Sequence, residues 1–484
     1  MKTLRQLLIL PLLLLVQLSA FAQSDTEDKI QQVETNLVGS LQIAGEKPGT
    51  LQERMTFYKV NGLSIAVIQN YHIAWAKGYG LADDSLKIPV TPQTLFQAAS
   101  ISKSLNGVGV LKLMQTKKLD LYTDINTYLT SWKFPYDSLS KGKKITVANL
   151  LSHTGGLGIH GFPGYRQGKP LPTIVQILDG QKPANTSAVR SMYEPGLKSE
   201  YSGGGITISQ MIVMDITHEP YADYMKKEVL QPLGMTSSTY SQPLIGIKPA
   251  LLATAYYANG KQIPGKYHIY PEQGAAGLWT TPTDLAKYII ETQLAYEGKS
   301  AKVLNQATTQ LRLTPYLDKT AALGVFTEDM DGTKYFGHGG SNAGFRSQYY
   351  GSLEGGNGVV VMVNSDRGDI IPELVNGVAK VYGFKGLYRS VVKTIVSVPD
   401  AVMQIYVGKY AITPTVTLTI TYEEGKLKGQ PTGQSKLILY PESQTKFFPR
   451  EAPVNVEFVK DAAGKVNEVV VLENGHRTEA KRIQ

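Results

Sequence analysis

The chain has 484 residues, 42% of them hydrophobic and 18% charged, with a net charge of +9 and no cysteine. Length and composition indicate a globular protein of two or three domains and exclude disordered and fibrous classes. The missing cysteines exclude disulfides, a thiol nucleophile, thiolate metal sites and a lipid-modified N-terminal cysteine, and without any long Lys/Arg run the mild basicity argues against nucleic-acid binding.

Residues 1–22 read as a secretory signal peptide. Lys2 and Arg5 form the charged start, Leu7 to Leu18 the apolar stretch, and Ala20-Phe21-Ala22 a small-x-small cleavage site. The apolar stretch is too short to span a bilayer, so the expectation is a periplasmic or secreted protein with no stable membrane anchor.

Gly62 to Gln69 reads as a strand that Asn70-Tyr71-His72 turns back into Ile73–Gly80, a hairpin. Ser100-Ile101-Ser102-Lys103 then opens a helix whose apolar residues Ile101, Leu105, Val108 and Leu111 recur at helical spacing. A short helix over Thr146–Leu151 precedes Ser152-His153-Thr154-Gly155-Gly156-Leu157. Gly158 to Pro172 is loop-like in composition, and a long loop of that kind is functional or mobile. Ile206–Thr217 reads as a buried helix, and Thr283-Asp284 as a helix start. The segment Tyr335–Tyr350 and the continuous apolar segment Gly358–Asn364 suggest adjacent antiparallel strands, and Asp369–Tyr382 an amphipathic helix. From Tyr406 on, short strands at 418–421, 436–439, 454–458 and 469–472 alternate with turns such as Glu424-Gly425, Ala463-Gly464 and Asn474-Gly475. They indicate a small all-β barrel or sandwich.

The chemistry centres on Ser100 and Lys103. Residues three apart share a helix face, so the amine can lie beside the hydroxyl, and the helix N-terminus favours a developing alkoxide. The spacing alone is weak, since Ser-x-x-Lys recurs at Ser138/Lys141, Ser140/Lys143, Ser390/Lys393 and Ser443/Lys446. Two other segments are unusual: Pro195-Gly196 through Tyr201-Ser202-Gly203-Gly204-Gly205, and His338-Gly339-Gly340-Ser341 beside a sheet edge.

Together these residues resemble the family of class C serine β-lactamases, DD-peptidases and related esterases. Ser100-Ile101-Ser102-Lys103 is similar to its nucleophile motif, Tyr201-Ser202-Gly203 to its Tyr-x-Asn motif, and His338-Gly339-Gly340 to its Lys/His-Thr-Gly strand motif. Leu150–Leu157, Pro232–Thr236 and Gly277–Leu285 are similar to supporting stretches. The resemblance implies an α+β fold: an antiparallel sheet flanked by helices, with an all-helical subdomain. The chain thus divides into a signal peptide (1–22), a hydrolase domain (23–390) and, past a boundary near residue 395, a small all-β domain (398–484), which with Tyr406–Tyr410 and Ala480–Ile483 resembles the lipocalin-like barrel often appended to these hydrolases.

The resemblance further implies an acyl-enzyme on Ser100, with Lys103 and Tyr201 as base system. Which of the two takes the proton stays open. A nearby Lys cation favours tyrosinate. The backbone N–H groups of Ser100 and Ser341 would form the oxyanion hole. His338, Gly339, Gly340, Gly203 and Arg346 would line the substrate. His338 would steer it and bond Tyr201; Arg346 would replace a lost carboxylate contact, although a plain surface arginine of the strand is the favoured reading. Gly203 stands where the family has Asn, and Gly339 where it has Thr. Both departures remove polar contacts to a β-lactam, so an esterase or a peptidase acting on D-residues fits better than an efficient β-lactamase. The expected substrate is a small molecule or peptidoglycan-like. No cofactor and no metal are expected, since His153 and His160 match no ligand spacing; His153 itself reads as loop packing.

Two other readings are weighed against this one. Ser341 as nucleophile of an α/β-hydrolase lacks the G-x-S-x-G elbow, because Ala343 replaces the last glycine. A non-catalytic cell-wall or ligand-binding protein on the same scaffold is the alternative that Gly203 and Gly339 keep open.

Overall fold

The computed structural model describes residues 24–484 except 451, 453, 474 and 475. The signal-peptide reading and the Asn474-Gly475 turn lie outside the described residues. Of the described residues, 24–37 and 50–388 form one compact unit, and 38–49 with 389–484 form a second.

The first unit is built on a sheet of seven strands. They are β1 (Gly62–Gln69), β2 (His72–Asp83), β3 (Ile88–Pro89), β4 (Phe326–Met330), β5 (Thr333–Asn342), β6 (Phe345–Ser352) and β7 (Gly358–Val363). Their order is β3-β2-β1-β7-β6-β5-β4, antiparallel throughout. The first and last long strands therefore meet in mid-sheet, with Ile65 opposite Val361. Asn70 and Tyr71 close the β1–β2 hairpin at φ +52° and +63°, the left-handed pair that a tight hairpin turn requires.

β7 is apolar at every position because both of its faces are covered. Val359, Val361 and Val363 enter one core with Leu63, Ile65 and Val67. Val360 and Met362 enter the other with Ala66 and Ile68. That is the two-residue side-chain period of a strand buried on both sides. Helix α1 (Ser102–Gln115), helix α2 (Gly203–Thr217), the short helix α3 (Gln273–Ala276) and α4 (Pro282–Tyr296) lie on the second face. α5 (Ile370–Tyr382) packs on the first, and so does the helix of residues 24–35.

α1 is buried along 11 of its 14 residues, so it is a central helix rather than an amphipathic one. α2 begins three residues before its apolar stretch, inside the triple glycine. Ser202 caps it by accepting from Gly205 N at 2.9 Å, and the carbonyls of His160 and Ile159 accept from Gly203 N and Gly204 N. External carbonyls thus satisfy amides that a helix start leaves unpaired, which makes glycine tolerable there.

The second unit closes an eight-stranded barrel: β8 (Gly408–Ala411), β9 (Thr417–Glu423), β10 (Lys426–Pro431), β11 (Leu437–Pro441), β12 (Lys446–Phe448), β13 (Val454–Lys460), β14 (Val466–Glu473) and β15 (His476–Arg482). Its interior is filled by Tyr406, Tyr410, Phe447 and Phe458, with Tyr406 and Phe458 stacked at 4.2 Å. Residues 41–43 pair in parallel with 391–393.

Candidate active site

Ser100 lies in a single 3₁₀ turn (Ala99–Ile101) that runs directly into α1. Ala99 sits at φ +51°, an uncommon conformation for a residue with a Cβ and of the kind that clusters at functional sites. The turn presents the Ser100 hydroxyl to partial exposure while its neighbours Ala99 and Ile101 are buried. Lys103, one turn on, places Nζ 3.0 Å from Ser100 Oγ and donates to the Ala275 carbonyl at 2.7 Å. Lys103 is 2% exposed, and burial holds its amine down to about 7. A neutral amine at that place gives one N–H to Ala275 and keeps its lone pair for the serine.

α1 is fixed on several sides. Asn106 Nδ2 donates to Ser209 Oγ of α2 at 2.9 Å, Tyr240 donates to the Ser102 carbonyl at 2.7 Å, and buried Arg312 donates to the Ser104 carbonyl at 3.0 Å.

Tyr201, just before α2, brings its hydroxyl to that of Ser100. Its ring lies beneath the Lys103 amine at 4.9 Å. Burial pushes the phenol well up, and the contact with Ser100 only partly opposes this. Tyr201 is therefore a neutral phenol. The expectation that Lys103 would favour tyrosinate is corrected: burial is the largest influence on the phenol, and it disfavours the tyrosinate as it disfavours the Lys103 cation.

Three histidines surround the tyrosine. His153 lies 4.4 Å away between ring centroids, His160 4.8 Å and His338 6.1 Å, with Phe326 at 6.3 Å. His153 is a buried residue at φ +60° whose Nδ1 accepts from Ser202 N at 3.2 Å. Burial, with the nearby Lys103 and His338, lowers its pKa well below the ordinary imidazole range. His153, expected from the sequence to be loop packing, is a buried ring that packs against Tyr201. The signal available was its place in Ser152-His153-Thr154-Gly155-Gly156.

His338 is also buried and neutral, lowered to about 3 by burial and by Lys103. Its Nδ1–H donates to the Gly339 carbonyl at 2.6 Å, and Nε2 has no partner among the described residues. The expected His338–Tyr201 hydrogen bond is absent.

β5 brings the glycine pair and Ser341 to the nucleophile. Ser347 Oγ on β6 donates to the Ala98 carbonyl at 3.0 Å, and a Cβ on Gly340 would lie 2.2 Å from the same oxygen. Only glycine allows the strand that close. β4 pairs with β5 no further than Gly337, so His338 to Ser341 have no strand partner on that side. Asn342 ties the strand end to the α3 segment, donating to Gln97 Oε1 at 2.8 Å and to the Ala276 carbonyl at 3.1 Å. Arg346 is already engaged: it donates to the carbonyls of Asn342 and Phe345 and pairs with Asp366 at 3.0 Å.

At position 203 a Cβ would meet the His160 carbonyl and the Phe162 ring, both at 3.0 Å. The 158–162 loop fills the space of the missing Asn. At position 339 a Cβ would meet only the flexible end of Gln348, 2.8 Å away.

A sequence profile described as Beta-lactamase matches residues 49–372, and it contains every site residue above. The chain belongs to the Beta-lactamase family. A domain of unknown function, DUF3471, matches residues 393–482.

Among curated proteins, the chain is 25% identical over 369 residues to Protein flp of Staphylococcus aureus (strain MRSA252), covering 72% of this chain and 66% of that protein. It is 26% identical over 269 residues to the putative penicillin-binding protein PbpX of Bacillus subtilis (strain 168), covering 54% and 60%. The matches thus span somewhat less than two thirds of those relatives' length. Among solved structures, the octameric penicillin-binding protein homologue from Pyrococcus abyssi aligns with TM-score 0.62 at 21% identity, covering 89% of this chain and 98% of that one. A β-lactamase/D-alanine carboxypeptidase from Pseudomonas syringae aligns with TM-score 0.54 at 20% identity, covering 68% and 96%. Both likenesses concern the fold.

Proposed function

We propose that the protein is an exported acyl-enzyme hydrolase that cleaves carboxylic esters and D-residue amide or peptide bonds, with little β-lactamase efficiency. The observation that carries the reading is the Lys103 amine 3.0 Å from the Ser100 hydroxyl, buried and anchored by Ala275. In the proposed step Ser100 Oγ bonds to the substrate carbonyl carbon while its proton passes to Lys103 Nζ. The N–H groups of Ser100 and Ser341 stabilise the oxyanion. The leaving alcohol or amine departs with a proton that Lys103 returns, relayed by the Tyr201 phenol. Water then attacks the acyl carbonyl, gives a proton to the same base, and frees Ser100.

The substrate preference rests on positions 203 and 339. Neither carries a side chain that can hold a β-lactam amide or carboxylate, and the Arg346 charge is balanced by Asp366. Sites lacking such contacts accept simpler acyl groups. Turnover of p-nitrophenyl esters, D-alanyl amides and a chromogenic cephalosporin tests this. The reading predicts ester kcat/KM at least tenfold above the cephalosporin; the reverse order contradicts it. Export is tested by the N-terminal sequence of the protein recovered outside the cytoplasm, expected to begin at Gln23.

A further inference from the structure

Among the four rings around Tyr201, His153 and His338 are buried and Phe326 is half-buried, while His160 alone is exposed. The open side of the tyrosine is therefore the side that His160 occupies. Its ring is tilted 45° to the phenol, with centroids 4.8 Å apart. No hydrogen bond to its ring nitrogens is formed among the described residues, whereas its backbone carbonyl is bound firmly to Gly203 N at 3.1 Å.

The loop is built to hold the ring there. Successive carbonyls of Gly158, Ile159 and His160 accept from Ser202 Oγ, Gly204 N and Gly203 N at 2.9, 3.0 and 3.1 Å. Ile159 sits at φ +63°, a genuine outlier for a β-branched residue, and such strain persists only where the surroundings enforce it. The loop backbone also occupies the space that a side chain at position 203 would need. The absent side chain and the docked loop are thus one feature.

We infer that His160 is a specificity-determining residue, whose free ring nitrogen hydrogen-bonds an amide on the acyl side of the substrate, next to the carbonyl that Ser100 attacks. This rests on the hydrolase reading above. The Tyr201 hydroxyl contacts Ser100, and His160 is the exposed polar ring packed on that tyrosine. An imidazole both donates and accepts, which suits an amide. Phe162 against Gly203 and Met192, 62% exposed beside Gly158, give apolar flanks for the rest of an amidoacyl group.

The test compares kcat/KM for two esters of equal chain length, p-nitrophenyl pentanoate and the p-nitrophenyl ester of N-acetylglycine. The wild type is expected to favour the amide-bearing ester after correction for its intrinsic reactivity. H160F keeps a ring of similar shape and loses both nitrogens, so the amide-to-alkyl ratio is expected to fall about tenfold, the worth of one ordinary hydrogen bond. H160N is expected to retain most of the ratio. A ratio unchanged in H160F, with both rates falling together, overturns the inference and leaves His160 a positioning residue for Tyr201. No turnover of either ester by the folded wild type removes the hydrolase reading, and this inference with it.

Discussion

The Lys103 amine lies 3.0 Å from the Ser100 hydroxyl, and burial alone moves its titration. Among the described residues, no neighbouring carboxylate restores the charge that burial removes. The amine is therefore held down to about 7 while the adjacent Tyr201 phenol is pushed up, which separates the two candidate bases.

The pH profile follows from that separation. The neutral amine is the competent form, so kcat/KM for a p-nitrophenyl ester rises with pH, is half-maximal near pH 7 and levels above it. Lys103→Arg supplies a cation that does not deprotonate, and it is expected to lose about 10³-fold or more without rescue at any pH. A rising limb centred near pH 10 in the wild type would contradict the lowered amine.

The two strand glycines behave oppositely. Gly340→Ala puts a methyl 2.2 Å from both the Ala98 carbonyl and Ser347 Oγ, backbone and buried side chain that cannot yield cheaply. The strand must retreat from the nucleophile turn, with a stability loss of about 1–3 kcal/mol and kcat lower by about 10²-fold. Gly339→Thr meets only the flexible end of Gln348. Its Tm is expected within about 4 °C of the wild type. Thermal melts and ester kinetics on the pair decide this; equal damage from both contradicts it.

Glu272 gives a stability prediction. It is fully buried at the start of α3, neither carboxyl oxygen has a hydrogen-bond partner among the described residues, and burial raises its pKa to about 8. Between the ordinary carboxylate range and pH 8, the folded chain holds a proton that the unfolded chain has released. Stability attached to this group is thus full below about pH 4.5 and is lost as pH rises through about 8. Glu272→Gln removes that loss. Denaturant midpoints should nearly coincide at pH 4.5, and the variant should be the more stable at pH 8.5. A gap independent of pH would contradict the assignment.

The strands of the large sheet and the Ser100 helix were legible because their patterns are local: apolar runs in β1 and β7, a turn at Asn70-Tyr71 between β1 and β2, helical spacing after Ser100. The first turn of α2 was not, because Gly203-Gly204-Gly205 read as a break until distant carbonyls from 159 and 160 supplied its caps. Four barrel strands, 408–411, 426–431, 446–448 and 476–482, were also missed. Each carries at least one lysine or arginine, and short strands of that kind carry little apolar signal. In the site, Ser100, Lys103 and Tyr201 stood out by motif. The tyrosine's neutrality and the ring contacts of His153 and His160 depend on burial and on residues some 40 to 50 positions away, which no local pattern records.

The central claim is that Ser100 is the nucleophile, and covalent labelling tests it most directly. Treat the intact protein with a fluorophosphonate and map the modified residue by mass spectrometry, in the wild type and in Ser100→Ala. A single phosphonyl adduct on Ser100, absent from the folded Ser100→Ala variant, is the predicted result. An adduct on Ser341 that survives Ser100→Ala would contradict it.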